Sequence, residues 1–254
     1  DALEALLSRI RETPAAGGSI RAVASPFASN EDLGALRTFL KVLGEAVGDG
    51  DGSEVLFRSP RAKDEVPLPG FSELARRRDL APNVNGAEIL GFRRVGDDQG
   101  EGGLSTLEKG DGGMLVVLGD ELLDQAPDFG ASADLFVYLG SYPSEAVREA
   151  DFALPVTTFA EQEGTFTNHA GRVQRFWPGL QAPGAARPAW LILHALAAEL
   201  EREGDGAPAR AVPATAGEAF RLLAEEVPEL SGLTYEFLGT KGAPVNEPVE
   251  IAGD

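Results

Sequence analysis

Three short, unbroken apolar runs, at 114–118, 135–139 and 152–154, constrain this chain more than any other feature. A strand open to water on one side alternates apolar and polar residues. A run apolar at every position must be covered on both faces, as parallel strands between helices are. The segment 20–25, Ile-Arg-Ala-Val-Ala-Ser, reads as a further buried strand. A polar turn at 26–30 follows, then a helix with Leu33, Leu36, Leu40, Leu43 and Val47 at helical spacing. Asn30 is the expected N-cap, with Glu31 and Asp32 favourable in the first turn. Strand, polar loop and helix start form the building block of an α/β fold.

The remaining pattern extends that reading. Leu3, Leu6, Leu7 and Ile10 share one helical face, and helices are expected over 143–150, 187–202 and 215–227. The middle is irregular, with a short strand at 55–57 and a short helix with a loop at 83–92. Pro60, Pro67, Pro69 and Pro82 break it repeatedly. The stretches 48–53 and 96–103 are Gly- and Asp-rich loops. Residues 204–213 read as a linker, and the chain beyond 228 as short apolar pieces between turns. The expected division is an α/β lobe over 1–203 and a linker with a C-terminal extension over 204–254.

Composition removes whole classes of chemistry. The 254 residues contain no Cys, which excludes a disulfide, a thiolate nucleophile, an iron–sulfur cluster and a cysteine zinc site within this chain. Only two His are present, His169 and His194, which argues against a conventional zinc or haem site. A net charge of −19 repels phosphate backbones, so nucleic acid is not an expected partner. No apolar run reaches the roughly 18–20 residues of a membrane span, and no signal peptide is visible. The chain opens on Asp1 and its single Met is Met114, as in a processed chain or the later part of something longer.

The densest polar constellation is 161–172, Glu-Gln-Glu-Gly-Thr-Phe-Thr-Asn-His-Ala-Gly-Arg. It follows a strand, and loops at the carboxyl ends of parallel strands line the ligand crevice of open α/β sheets. Thr165, Thr167 and Asn168 offer short hydrogen-bonding groups, and Arg172 offers a fork for phosphate or carboxylate. The same residues also suit a plain β-hairpin, Thr-Phe-Thr-Asn turning to Arg-Val-Gln-Arg-Phe. A second candidate is the loop 25–30 at a helix start, which suits an anion or is an ordinary cap. Glu161 and Glu163 lack a further catalytic group, Asp49 and Asp51 lack the offsets of a calcium loop, and Arg76, Arg77 and Arg78 read as a solvated face. His194 reads as a satisfied packing residue. No G-x-G-x-x-G, Walker loop or G-x-S-x-G elbow is present.

Several of these residues form a pattern in order. Ala150-Asp151, Leu154-Pro155, Glu161, Gly164-Thr165, Asn168, Gly171-Arg172 and Gln174 resemble the A-D-x-x-L-P and E-x-x-G-T-x-x-N-x-x-G-R-x-Q segments of the molybdopterin oxidoreductase superfamily. Pro183-Gly184, Ala186-Arg187 and Trp190 extend the match, as do Asn30-Glu31-Asp32 and Pro82-Asn83 with Gly86-Ala87 and Leu90-Gly91. The last feature, with Thr-Phe-Thr-Asn and Arg-Val-Gln, is most similar to the large peripheral-arm subunit of the NADH-quinone oxidoreductases, respiratory complex I.

The resemblance implies a doubly wound, parallel-sheet lobe of the formate dehydrogenase/DMSO reductase type with a short C-terminal extension. It implies a structural, cofactor-free part of an NADH-quinone oxidoreductase subunit that supports electron transfer from NADH to quinone. Iron–sulfur clusters are expected upstream. The implied partners are other peripheral-arm subunits, at the cytoplasmic face of a bacterial inner membrane. The alternative is part of a molybdenum or tungsten bis-pterin enzyme of formate-dehydrogenase type, forming one wall of the cofactor site. In that case Asn30, Glu31, Thr165, Asn168 and Arg172 are the expected contacts, with no catalytic residue and no metal ligand in this segment. Ala170 stands where many relatives carry Glu, which weakens cofactor binding by this loop.

Overall fold

A computed structural model describes residues 2–13, 20–47, 54–95, 112–119, 130–143, 145–202 and 210–246. The expected loops at 48–53 and 96–103 and most of the 204–213 linker lie outside them. In chain order the elements begin with α1 (Ala2–Glu12), β1 (Ile20–Ala24), α2 (Asn30–Val47) and β2 (Glu54–Phe57). A hairpin follows, β3 (Val66–Leu68) and β4 (Phe71–Arg76), then α3 (Val84–Ile89) and β5 (Arg93–Arg94). The apolar runs become β6 (Met114–Leu118), β7 (Leu135–Gly140) and β8 (Phe152–Pro155). A second hairpin, β9 (Gly164–Thr167) and β10 (Arg172–Phe176), leads to α4 (Ala189–Arg202), α5 (Ala216–Glu226), α6 (Tyr235–Leu238) and β11 (Ala243–Pro244).

Six strands form one parallel sheet in the order β5-β2-β1-β6-β7-β8. Counted along the sheet's own strands this is 3-2-1-4-5-6, the doubly wound order whose direction reverses between its first and fourth strands. Strands β6 and β7 are buried at every position. Their side chains divide by the period of two. Met114, Val116, Leu118, Leu135, Val137 and Leu139 join the main core with α1, α2, α4 and α5, while Leu115, Val117, Phe136 and Tyr138 join a smaller core on the other face.

The structure corrects several expectations. The helix over 143–150 is a single 3-10 turn, Glu145–Glu149. The β7–β8 connection holds only residues 141–151, fewer than a full crossover helix requires. The irregular middle contains the β3–β4 hairpin. Chain beyond 228 forms a 3-10 turn (Pro228–Leu230), a helical turn at α6 and a strand, β11, that extends the β9–β10 hairpin to three strands.

The start of α2 also differs. Asn30 is the first helical residue and Ser29 is the cap. Ser29 Oγ accepts the Asp32 N–H at 3.1 Å, and Asp32 Oδ2 accepts the Ser29 N–H at 3.1 Å. This is a reciprocal capping box, which satisfies two helix-end donors at once. Asn30 is thereby free to aim its amide elsewhere.

Candidate functional site

The two polar segments singled out in the sequence meet in space. The first turn of α2 points Asn30, Glu31 and Asp32 inward, and all three are buried. Asn30 Nδ2 donates to Thr165 Oγ1 at 3.0 Å and Thr167 Oγ1 at 3.1 Å on β9. Glu31 Oε2 accepts the Thr165 N–H at 2.8 Å. Its Oε1 accepts the Thr165 hydroxyl at 2.9 Å and the Tyr235 hydroxyl at 2.8 Å. Asp32 gathers the chain on the other side. Its Oδ1 accepts the Trp190 N–H at the start of α4, at 2.9 Å, and its Oδ2 accepts Gln162 Nε2 at 2.7 Å.

Asn83 completes the hub. Its Oδ1 accepts the Thr167 N–H at 2.7 Å and its Nδ2 donates to the Ala28 carbonyl at 2.9 Å. Gly86 must be small here, because a Cβ would lie 2.2 Å from both Asn30 Oδ1 and Asn83 Oδ1. Three stretches of chain, 162–167, the α4 start and Tyr235, are therefore tied to the α2 start through three consecutive side chains, and Asn83 adds a fourth through its own. Buried polar groups demand partners, and a network that satisfies all of them specifies one arrangement.

Burial pushes the Glu31 carboxyl up to about 7, opposed by the hydrogen bonds from Thr165 and Tyr235. Burial also raises Asp32, opposed by the bonds from Ser29, Gln162 and Trp190. The partial positive charge at the α2 N-terminus favours both carboxylates. That helix end is occupied by the chain's own acids.

Of the five residues predicted to contact a cofactor, the structure brings Asn30, Glu31 and Thr165 together and buries them. Asn168 and Arg172 lie apart from the hub. Asn168 caps the β9–β10 turn, its Oδ1 accepting the N–H groups of Ala170 at 2.9 Å and Arg172 at 3.1 Å. Arg172 reaches across to β11, donating to the Gly242 carbonyl at 2.8 Å. The hairpin reading of this segment is the observed one. Sequence reasoning missed Asn83, Gln162 and Tyr235 as hub members. Gln162 and Asn83 lay inside the quoted motif segments, but Tyr235 follows β9 by some seventy residues with no local pattern to mark it. His194 is buried as expected, yet its Nδ1 has no partner among the described residues.

Two open spaces flank the hub. A crevice of about 200 Å³ lies at the carboxyl ends of β1, β6, β7 and β8, lined by Ser25, Asp32, Gly119, Gly140, Thr157 and Gln162 among others. It sits where the strand order reverses, the usual ligand position in such sheets. A larger groove of about 640 Å³ lies between the β9–β10 hairpin and the base of the β3–β4 hairpin with the segment that follows it to Asn85. Among the described residues no three His, Asp or Glu side chains are grouped to hold a metal ion, and no helix is long and apolar enough to cross a membrane.

The profile of the molybdopterin oxidoreductases matches residues 72–199, half of the chain and the part that holds β6–β10 and most of α4. The chain belongs to the molybdopterin oxidoreductase family. Within the family it is 31% identical to the G 2 subunit of the NADH-quinone oxidoreductase of Rhizobium meliloti, over 96% of this chain and 29% of that protein. It is 28% identical to the G subunit of the NADH-quinone oxidoreductase of Pseudomonas putida, over 66% of this chain and 20% of that one. It is 38% identical to the alpha subunit of F420-dependent formate dehydrogenase 2 of Methanococcus maripaludis, over 44% of this chain and 16% of that one. The chain thus spans less than a third of the length of these molybdopterin oxidoreductase relatives.

Proposed function

We propose that this chain is a structural, cofactor-free part of the large peripheral-arm subunit of an NADH-quinone oxidoreductase. In that role it supports electron transfer from NADH to quinone without carrying electrons itself. The observation that carries the reading is extent. Similarity to an NADH-quinone oxidoreductase subunit runs over 96% of the chain, whereas similarity to formate dehydrogenases covers 44–52%. The hub supports it. Asn30, Glu31 and Thr165 use their polar atoms to bind one another, Thr167 and Tyr235, which is the work of a scaffold. The partners are other peripheral-arm subunits, and the place is the cytoplasmic face of the membrane, held there by those partners.

A specific observation favours a second reading, one wall of a molybdenum or tungsten bis-pterin site. The crevice at the strand-order reversal offers the side chains of Ser25, Thr157 and Gln162 to a polar ligand. In that reading Asn168 and Arg172 are the two predicted contacts left near the surface. A bound metal–pterin group would supply two-electron redox chemistry, and this chain's residues would only hold and orient it.

Molybdenum and tungsten stoichiometry, measured in the complex purified natively through this chain, separates the two. A value near zero in an assembly that oxidises NADH is the expected result. A value near one metal per complex overturns the scaffold reading.

A further inference from the structure

The larger groove carries a charge opposite to that of the molecule. Arg61, Arg77, Arg78 and Arg175 line it, against two carboxylates, Glu65 and Asp79, in a chain of net charge −19. Both carboxylates are already paired, Glu65 with Arg77 at 3.2 Å and Asp79 with Arg61 at 3.1 Å and Arg94 at 2.6 Å, and Arg175 is itself paired with Glu163 at 2.6 Å. Guanidinium donors remain. Arg78 is exposed and has no ion pair among the described residues. Arg77, although paired, keeps 40% of its side chain exposed. Beside them Phe166 and Phe176 stack with centroids 4.5 Å apart and are only partly covered.

The wall that carries Arg77 and Arg78 is itself short of contacts. Among the described residues, strands β3 and β4 pair only with each other. Their apolar side chains stand in solvent, Val66 at 47%, Leu68 at 49%, Phe71 at 62% and Leu74 at 56% exposure. A lone two-stranded hairpin is marginal in water, and this one leaves four apolar side chains exposed. Both features are those of an arm that gains its stability against a neighbour.

We propose that this groove docks an acidic segment of a partner protein chain that carries a large apolar or aromatic side chain. Carboxylates of the segment pair with Arg78 and the exposed part of Arg77, and its apolar side chain covers Phe166 and Phe176. Arginine forks bind carboxylates in pairs of hydrogen bonds, and the acidic remainder of the molecule steers such a segment away from other faces. The proposal rests on the scaffold reading, because a scaffold is held by such contacts.

The test uses the full chain and a fluorescein-labelled glutamate-rich peptide carrying phenylalanine, followed by fluorescence anisotropy. Binding is expected to weaken with added salt. Arg78→Glu, at an exposed side chain with no ion pair among the described residues, is expected to weaken it by about tenfold. Arg221→Glu makes the same charge change on α5, outside the groove, and is expected to leave it within about twofold. Absence of binding, or equal losses in the two variants, overturns the proposal. Displacement of the peptide by inorganic pyrophosphate at matching concentration also overturns it, by showing a small-anion site. A failed peptide test with a metal content near zero sinks only the docking proposal. A metal content near one sinks the scaffold reading whatever the peptide does.

Discussion

Glu31 is the residue on which most of the architecture converges, and its ionisation is coupled to folding. Burial holds its carboxyl at about 7 in the folded protein, against 4.5 without the fold. The folded state therefore keeps the proton more tightly. The stability tied to that proton is fully present below pH about 4.5 and is lost as pH rises through about 7. The loss between pH 5 and 8 is on the order of 2–3 kcal/mol. Glu31→Gln cannot titrate, so urea denaturation at the two pH values is expected to show a smaller drop for the variant than for the parent. An identical drop would assign the slope to another group. His194 works in the opposite sense. Burial, helped by the charge of Arg210, lowers it to about 4, so its share of stability is present above 6.5 and is lost as pH falls. That share is common to both proteins and cancels in the comparison.

Among the elements, β9 matters through how closely it approaches α2. A Cβ on Gly164 would lie 2.7 Å from Phe176 Cζ, 2.9 Å from Ser29 Cβ and 3.1 Å from Glu31 Oε2. Two of these neighbours belong to the α2 start, so β9 cannot retreat without lengthening the Thr165–Glu31 bonds. Gly164→Ala is expected to cost about 1–3 kcal/mol in chemical denaturation, the usual range for overpacking. Gly179→Ala is the matched control, because nothing lies within 4 Å of its added Cβ. Equal stability of the two variants would mean that the hub tolerates a displaced strand. The β9–β10 hairpin itself was legible from its turn residues. The β3–β4 hairpin was not, because Pro67 and Pro69 broke the alternation that marks a strand.

For the whole molecule, the question is whether chain beyond the 203–209 stretch belongs to the lobe. Helix α5 packs its Phe220 and Leu223 into the main core, and β11 joins β10. Tyr235 reaches Glu31, and Arg175 lies over the Tyr235 ring at 4.3 Å. Tyr235→Phe removes one donor from a buried carboxylate and is expected to cost about 1–3 kcal/mol. The expected melt is a single transition shifted down as a unit. A separate early transition would mean that residues 210–246 fold apart from the lobe. Charge also acts at this scale. Among the residues whose burial is described, Glu31 and Asp32 are the buried carboxylates, and the other carboxylates there lie at least partly toward solvent.

The sequence by itself determined the class of fold. Apolar runs of the right length demand coverage on both faces, and that requirement is local enough to read without a structure. It also marked the polar segments 30–32 and 161–172 as unusual. Only the tertiary structure decided what those segments do. Hydrogen bonds between Asn30 and Thr165, or Glu31 and Tyr235, join positions far apart in the chain and leave no periodic trace in it. A carboxylate at a helix start reads the same in sequence whether it faces water, a ligand or a buried threonine. Burial decides among these, and burial is a property of the assembled layers.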